Sequence, residues 1–217
     1  MFSVAELRAV DLDLVNHGVW IVRSCLGQQL LRQLDEVFPA TLSNVRNALS
    51  MPTIRELSRS SIVRSLVIPT LGSNCFSVRA ILFNKTASSN WKVSWHQDVV
   101  IAVKEYADLA GYGPWSNKSG VPHVRPPAAI LENMLAVRLH LDDCGEENGP
   151  LRVLPGSHTH GILSDAEIVA MNGAPIRLLR QTRRRHTDAP ARATCVFPSA
   201  QFDCTASDPS RIRFYRT

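Results

Sequence analysis

The sequence has no CxxC pair, no long apolar run and few aromatic residues. Its five cysteines (Cys25, Cys75, Cys144, Cys195, Cys204) are scattered and odd in number. That excludes a disulfide framework and a cysteine zinc site, and reduced thiols are expected. No stretch reaches the roughly 18 apolar residues that a membrane span needs. Met1 to Leu12 carries Glu6 and Asp11 and lacks an apolar signal core, so a cytoplasmic protein with no membrane partner is expected. Basic charge is also missing from most of the chain. Met1 to Pro175 holds 15 Lys and Arg against 16 Asp and Glu, whereas Ile176 to Thr217 holds nine Arg against three Asp. The net charge of +5 is therefore a property of the tail. A nucleic-acid surface would have to rest on that tail alone, so no nucleic-acid partner is expected.

What is present is a globular composition. Of 217 residues, 45% are hydrophobic and 20% charged, enough for one domain with a sizeable core. Val4, Leu7, Val10 and Leu14 have helical spacing, and Gly18 ends that pattern. Val19 to Val22 is a short β run. Gln28 to Phe38, Val45 to Ser58 and Ser60 to Val67 predict helices, with Pro52 interrupting the second. Beyond residue 70 the pattern changes. Phe76 to Phe83 is β-rich, and Val99 to Val103 is an apolar run. Tyr106 to Pro127 holds three Gly and four Pro and predicts a long loop. Met134 to Leu141 alternates, with Leu135, Val137, Leu139 and Leu141 on one face and Arg138 and His140 on the other. Asp142 to Gly149 is a turn, Pro150 to Leu154 a strand and Pro155 to Ser157 a second turn. Helices followed by many short strands predict an α+β fold, mainly β, with a sandwich or jelly-roll core.

The sharpest local feature is Trp95-His96-Gln97-Asp98. On an extended strand, residues two apart point to one side. One imidazole and one carboxylate can then meet one cation, which is two-thirds of a 2-His-1-carboxylate site for Fe(II). By itself the pattern is weak, because most His-x-Asp pairs are ordinary surface residues.

The wider context is specific. NWKVSWHQDVVIAV, the GPWSNKSGVPHVRPP segment, MLAVRLHLDDCGEENGPLRVLPGSH and the early GVWIV together resemble the phytanoyl-CoA dioxygenase family of Fe(II)/2-oxoglutarate oxygenases. The resemblance covers residues 8 to 170. It implies a double-stranded β-helix, a cupin-like jelly roll flanked by N-terminal helices. It implies Fe(II) as metal, 2-oxoglutarate and O2 as cosubstrates, and hydroxylation of a small apolar or acyl-type molecule. His96 and Asp98 match the family's first two iron ligands. Arg138 falls where the family places a cosubstrate-pocket residue; Lys92 and Gln97 flank the metal motif and are candidates for the same role. The Pro155-Gly156-Ser157-His158 match reads as turn chemistry, with His158 structural. His123 and Arg125 lie in the predicted loop without an assignable role.

The resemblance stops near residue 175. The family's third ligand is a histidine in a strand reading about GDxLxMRPLxLHxSS, followed by an arginine that holds 2-oxoglutarate. Residues 176–217 contain one histidine, His186, in an Arg-rich stretch without period-2 alternation. The genetic code offers a reason. If the codons of Arg184 to Pro198 are read one base out of step, the permitted residues include GDTLMRPLVLHASS, with His arising at the Thr194/Cys195 junction. The expectation is a jelly-roll domain over 1–175, then an atypical, out-of-frame tail over 176–217. The C-terminal core strand and third ligand are then missing, with His186 as the only substitute; a catalytically inactive remnant or metal-binding module is the alternative.

Overall fold

The structure, a computed structural model, describes residues 14–38, 45–83, 94–141, 151–171, 176–177, 191–196 and 202–203. They fall into two compact units. The first takes in residues 1–44, 83–96 and 137–196, and the second residues 45–82, 97–136 and 197–217.

In the first unit, a helical turn at 14–17 ends where the Gly18 N–H donates to the Leu14 carbonyl at 2.9 Å. Gly18 has φ +69°, the left-handed cap that glycine adopts without a Cβ penalty. The chain then enters strand β1 (Val19–Leu26), longer than the predicted run, which buries Val19, Trp20, Val22 and Leu26. Helix α1 (Gln28–Val37) follows and buries Leu31 and Leu34, three residues apart on one face.

The second unit begins with an isolated bridge, Val45 to Leu82, rather than the predicted helix. A single 3-10 turn (Ala48–Ser50) leads to α2 (Pro52–Arg59) and α3 (Ser61–Leu71). Pro52 sets the late start, because its fixed φ and missing N–H suit the first turn of a helix and not its interior. Ser60 caps α3 by accepting from the Val63 N–H at 3.4 Å, and Val63, Leu66, Val67 and Leu71 form the buried face.

Strand β2 (Phe76–Ser77) is short. Strand β3 (Ile101–Ala102) is followed by a hairpin, β4 (Trp115–Lys118) and β5 (Val121–Val124), inside the stretch predicted to be a loop. The order is β3-β5-β4, all antiparallel. The hairpin closes on Ser119 (φ +55°) and Gly120 (φ +81°) between the paired Lys118 and Val121. Two positive φ values in a two-residue loop make a type I′ turn, whose twist matches the strands. Apolar residues fill one side: Val78, Ile101, Val103, Val124, Leu131 and Met134 are buried together, with Val99 and Trp115 packed against them. Each contributes roughly 1.5–3 kcal/mol by leaving water. Cys75 is buried nearby, and burial pushes its thiol above the usual range, consistent with an inert reduced cysteine.

Helix α4 (Ala128–Leu131) leads to strand β6 (Ala136–Leu139). The predicted alternation around Arg138 is not observed. Met134 and Leu135 are both buried, and all four β6 residues, Arg138 included, are half-buried. Short strands β7 (Arg152–Val153) and β8 (Ile176–Arg177) pair with each other, and α5 (Asp165–Ala170) carries a complete Ser164–Glu167 capping box.

The expected loss of a C-terminal core strand is corrected by the structure. Strand β9 (Ala191–Val196) lies between β1 and β6 and pairs antiparallel with β1, Trp20 opposite Cys195 and Ile21 opposite Thr194. Strand β10 (Phe202–Asp203) pairs with β2. Long-range ladder pairing has overridden a weak local pattern here.

Candidate metal centre

The His-x-Asp motif does not lie in a strand. Residues 94–100 are irregular, and the Val99 N–H returns to the Gln97 carbonyl at 3.1 Å. No ladder strand pairs there among the described residues, which corrects the extended-strand premise. The alternation survives in exposure. Ser94, His96 and Asp98 are exposed, while Trp95, Gln97 and Val99 are half-buried.

The unit boundary falls between His96 and Gln97. On the first unit, His96 Nδ1 lies 2.8 Å from the Ser94 carbonyl. A carbonyl only accepts, so Nδ1 carries the proton and Nε2 is left as the lone-pair nitrogen. Metal-binding imidazoles are usually oriented by such a bond. One residue upstream, the Trp95 ring is covered by the Arg152 guanidinium, 4.7 Å from its centroid. His158 has the structural role expected. Its Nε2–H donates to the Val15 carbonyl at 3.0 Å, locking the turn before β1.

On the second unit, Asp98 interacts electrostatically with Arg79. Burial pulls the half-buried Arg79 guanidinium below its ordinary value; the Asp98 carboxylate opposes that shift, and Arg46 adds to it by like-charge repulsion. His123, assigned to a loop by its sequence, is on β5 and only 2% exposed. Its Nδ1 donates to the Val121 carbonyl at 2.9 Å, and its Nε2 is buried without a hydrogen-bond partner among the described residues. Burial depresses its basicity; the Val121 bond acts the other way, and Arg79, Lys118 and Arg46 lower it further. The balance favours the neutral imidazole over the charged one.

Sequence reasoning singled out His96, Asp98, Gln97 and Arg138, and missed Arg79, Arg46 and His123 as neighbours of that chemistry. A signal for Arg79 existed: it is the one charged residue in the β-rich Phe76–Phe83 run. Arg138 is half-buried on β6. Lys92 and His186 lie outside the described residues. Among the described residues, no group of three His, Cys, Asp or Glu side chains is disposed to hold a metal ion.

The sequence pattern of the phytanoyl-CoA dioxygenase family (PhyH) matches residues 18–189, spanning the His96-Gln97-Asp98 motif. The chain belongs to this family of Fe(II)/2-oxoglutarate-dependent oxygenases. Among solved structures it is similar to HygX from Streptomyces hygroscopicus. Against the iron-bound form the TM-score is 0.53 at 10% identity, covering 100% of this chain and 82% of that one. Against the form holding nickel and 2-oxoglutarate it is 0.50 at 12% identity, covering 94% and 88%. At such identities the likeness is one of fold. No curated protein matches the sequence.

Proposed function

We propose that this chain is a phytanoyl-CoA dioxygenase-type Fe(II)/2-oxoglutarate-dependent dioxygenase, built on a jelly roll over residues 1–175, that hydroxylates a small apolar or acyl-type molecule. The observation that carries the reading is the family match across His96-Gln97-Asp98. The iron and 2-oxoglutarate recorded in the HygX structures support the same cofactors here. His96 offers Nε2, in the tautomer set by the Ser94 carbonyl, and Asp98 offers a carboxylate; both donors suit Fe(II). When bound, Fe(II) with 2-oxoglutarate and O2 supplies the oxidation of an unactivated C–H bond. The chain's part is to hold the ligands and orient the cosubstrate. Arg138, Lys92 and Gln97 are the side chains assigned to that orientation.

The third ligand is lost in this reading, and residues 176–217 are an out-of-frame tail in which His186 is the only substitute. Two protein ligands hold Fe(II) more weakly than three, so affinity is reduced. A second reading, an inactive jelly-roll remnant or metal-binding module, draws support from β9, which carries Thr194 and Cys195 and no histidine.

Anaerobic Fe(II) titration followed by 2-oxoglutarate turnover, read as succinate, tests the assignment. Succinate release that is lost in Asp98→Ala is expected. Absence of iron uptake by the parent chain leaves the remnant reading. Sequencing the gene tests the frame shift: a coding strand without the triplets for GDTLMRPLVLHASS removes it.

A further inference from the structure

Arg152 stands on an anchored stretch of the first unit. Its chain neighbours Leu151 and Val153 pack against the buried Val19 of β1. Strand β7 pairs with β8, Arg152 opposite Arg177 and Val153 opposite Ile176. Further on, the Gly156 N–H donates to the His17 carbonyl at 3.1 Å, beside the His158 bond to Val15. Arg152 itself is exposed, and its guanidinium lies over the Trp95 ring, 4.7 Å from the centroid.

Trp95 needs such an anchor. Among the described residues, 94–98 pair with no ladder strand, so no sheet fixes the start of the metal motif. The indole is half-buried, whereas Ser94 and His96 on either side of it in the chain are exposed. Those two are joined by the 2.8 Å bond from His96 Nδ1 to the Ser94 carbonyl. The bond closes a three-residue loop with Trp95 at its middle. Holding the ring in place therefore holds the backbone on both sides of the bond. A planar guanidinium suits the task, because it stacks on the ring while its N–H groups stay in water. An ammonium is a compact, strongly hydrated charge and covers the ring less well.

We propose that Arg152 is a positioning residue for His96. It clamps Trp95 to the segment that Leu151 and Val153 fasten to Val19. His96 Nδ1 then stays on the Ser94 carbonyl, and Nε2 is the nitrogen offered to a cation. The inference deepens the oxygenase reading and rests on it only for the identity of that cation, Fe(II).

The test uses the full, metal-free chain, isotope-labelled at its histidine nitrogens, with the His96 signals assigned by their loss in His96→Gln. Nitrogen NMR shifts near pH 8, above the ordinary imidazole value of about 6.5, report the neutral tautomers. The parent is expected to hold the Nδ1–H form. In Arg152→Ala the ratio of Nδ1–H to Nε2–H should fall about two- to fivefold, the loss of one exposed cation–π contact, with Arg152→Lys in between. In a Trp95→Leu background Arg152→Ala should change nothing further, because the arginine acts through the ring. Anaerobic Fe(II) titration is the second readout. Affinity should drop by about the same factor, since only the bonded conformer is competent to bind.

A parent lacking the Nδ1–H form overturns the proposal. So does an unchanged tautomer ratio in folded Arg152→Ala, an Fe(II) affinity indifferent to Arg152, or an equal loss in the Trp95→Leu background. If Arg152→Ala fails to fold, Arg152→Lys carries the comparison. The metal-free readout separates the two claims. A tautomer shift without iron uptake by the parent sinks the oxygenase reading alone. Iron uptake with a tautomer ratio and affinity independent of Arg152 sinks this one alone.

Discussion

Gly18 and His158 pack so closely that a methyl group at Gly18 would fall 2.7 Å from His158 Cγ and nearer still to Nδ1. The backbone at Gly18 also has φ +69°. Gly18→Ala is therefore expected to destabilise by about 2–4 kcal/mol, combining left-handed strain with overlap. Urea unfolding measures it. In a His158→Ala background the cost of the same substitution should fall towards about 1–2 kcal/mol, because the ring overlap is gone and what remains is the backbone strain with a 3.1 Å approach to the Cβ of residue 158. Equal costs in both backgrounds would show that the ring does not press on this turn.

His123 predicts a pH dependence. Its folded-state basicity is depressed, first by burial. An unfolded imidazole titrates near pH 6.5. As pH falls below about 6.5, the unfolded chain takes up a proton before the folded one does, so stability declines until the folded imidazole also protonates. The slope from this group is at most about 1.4 kcal/mol per pH unit. His123→Leu should flatten the decline between pH 7.5 and 5.5, read as the urea midpoint at each pH. A variant that keeps the parent slope would place the effect elsewhere.

The hairpin turn gives a stabilising prediction. Ser119 is the one non-glycine residue with positive φ among the described residues, and Gly120 follows it. Asn-Gly suits a type I′ turn better than Ser-Gly. Ser119→Asn should raise stability by about 0.3–1 kcal/mol, visible as a higher urea midpoint with an unchanged slope.

At α5, Ser164 accepts from the Glu167 N–H at 3.3 Å, while the Glu167 carboxylate accepts from the Ser164 N–H at 2.7 Å. The Ser164 hydroxyl also donates to that carboxylate at 2.7 Å, and this bond first, then the one from the Ser164 N–H, holds the Glu167 carboxyl below its usual range. Ser164→Ala should lower Tm by about 2–4 °C and speed amide exchange across Asp165–Ala170. Unchanged exchange there would mean that the cap is not limiting.

Where the chemistry is local, the sequence was readable. Gly18 as a helix stop follows from its place at the end of a helical pattern, and Gln28 to Phe38 as a helix follows from apolar spacing; the helix is observed over Gln28–Val37. Trp95 to Asp98 was visible as two donors with period 2, and the exposure alternates accordingly. The hairpin at Trp115 to Val124 was hidden by its Gly and Pro content. Pro122 usually argues against a strand, yet its carbonyl still accepts from the Val103 N–H at 3.0 Å. Arg79 could have been noticed as a charge in an apolar run, but its nearness to Asp98 depends on packing. Strand β9 was not read, because its partners β1 and β6 are distant in the chain and its short Ala-Arg-Ala-Thr-Cys-Val run lies in an Arg-rich, Pro-interrupted stretch.

That placement of β9 bears on biosynthesis. Strand β1 ends at Leu26 and β9 begins at Ala191, so this ladder forms only after the chain through Val196 has left the ribosome. Until then β1 and β6 await their shared neighbour, with backbone donors and acceptors open to another nascent chain. Dense translation on one message should therefore favour co-aggregation, and sparse ribosome loading or a holdase chaperone should relieve it.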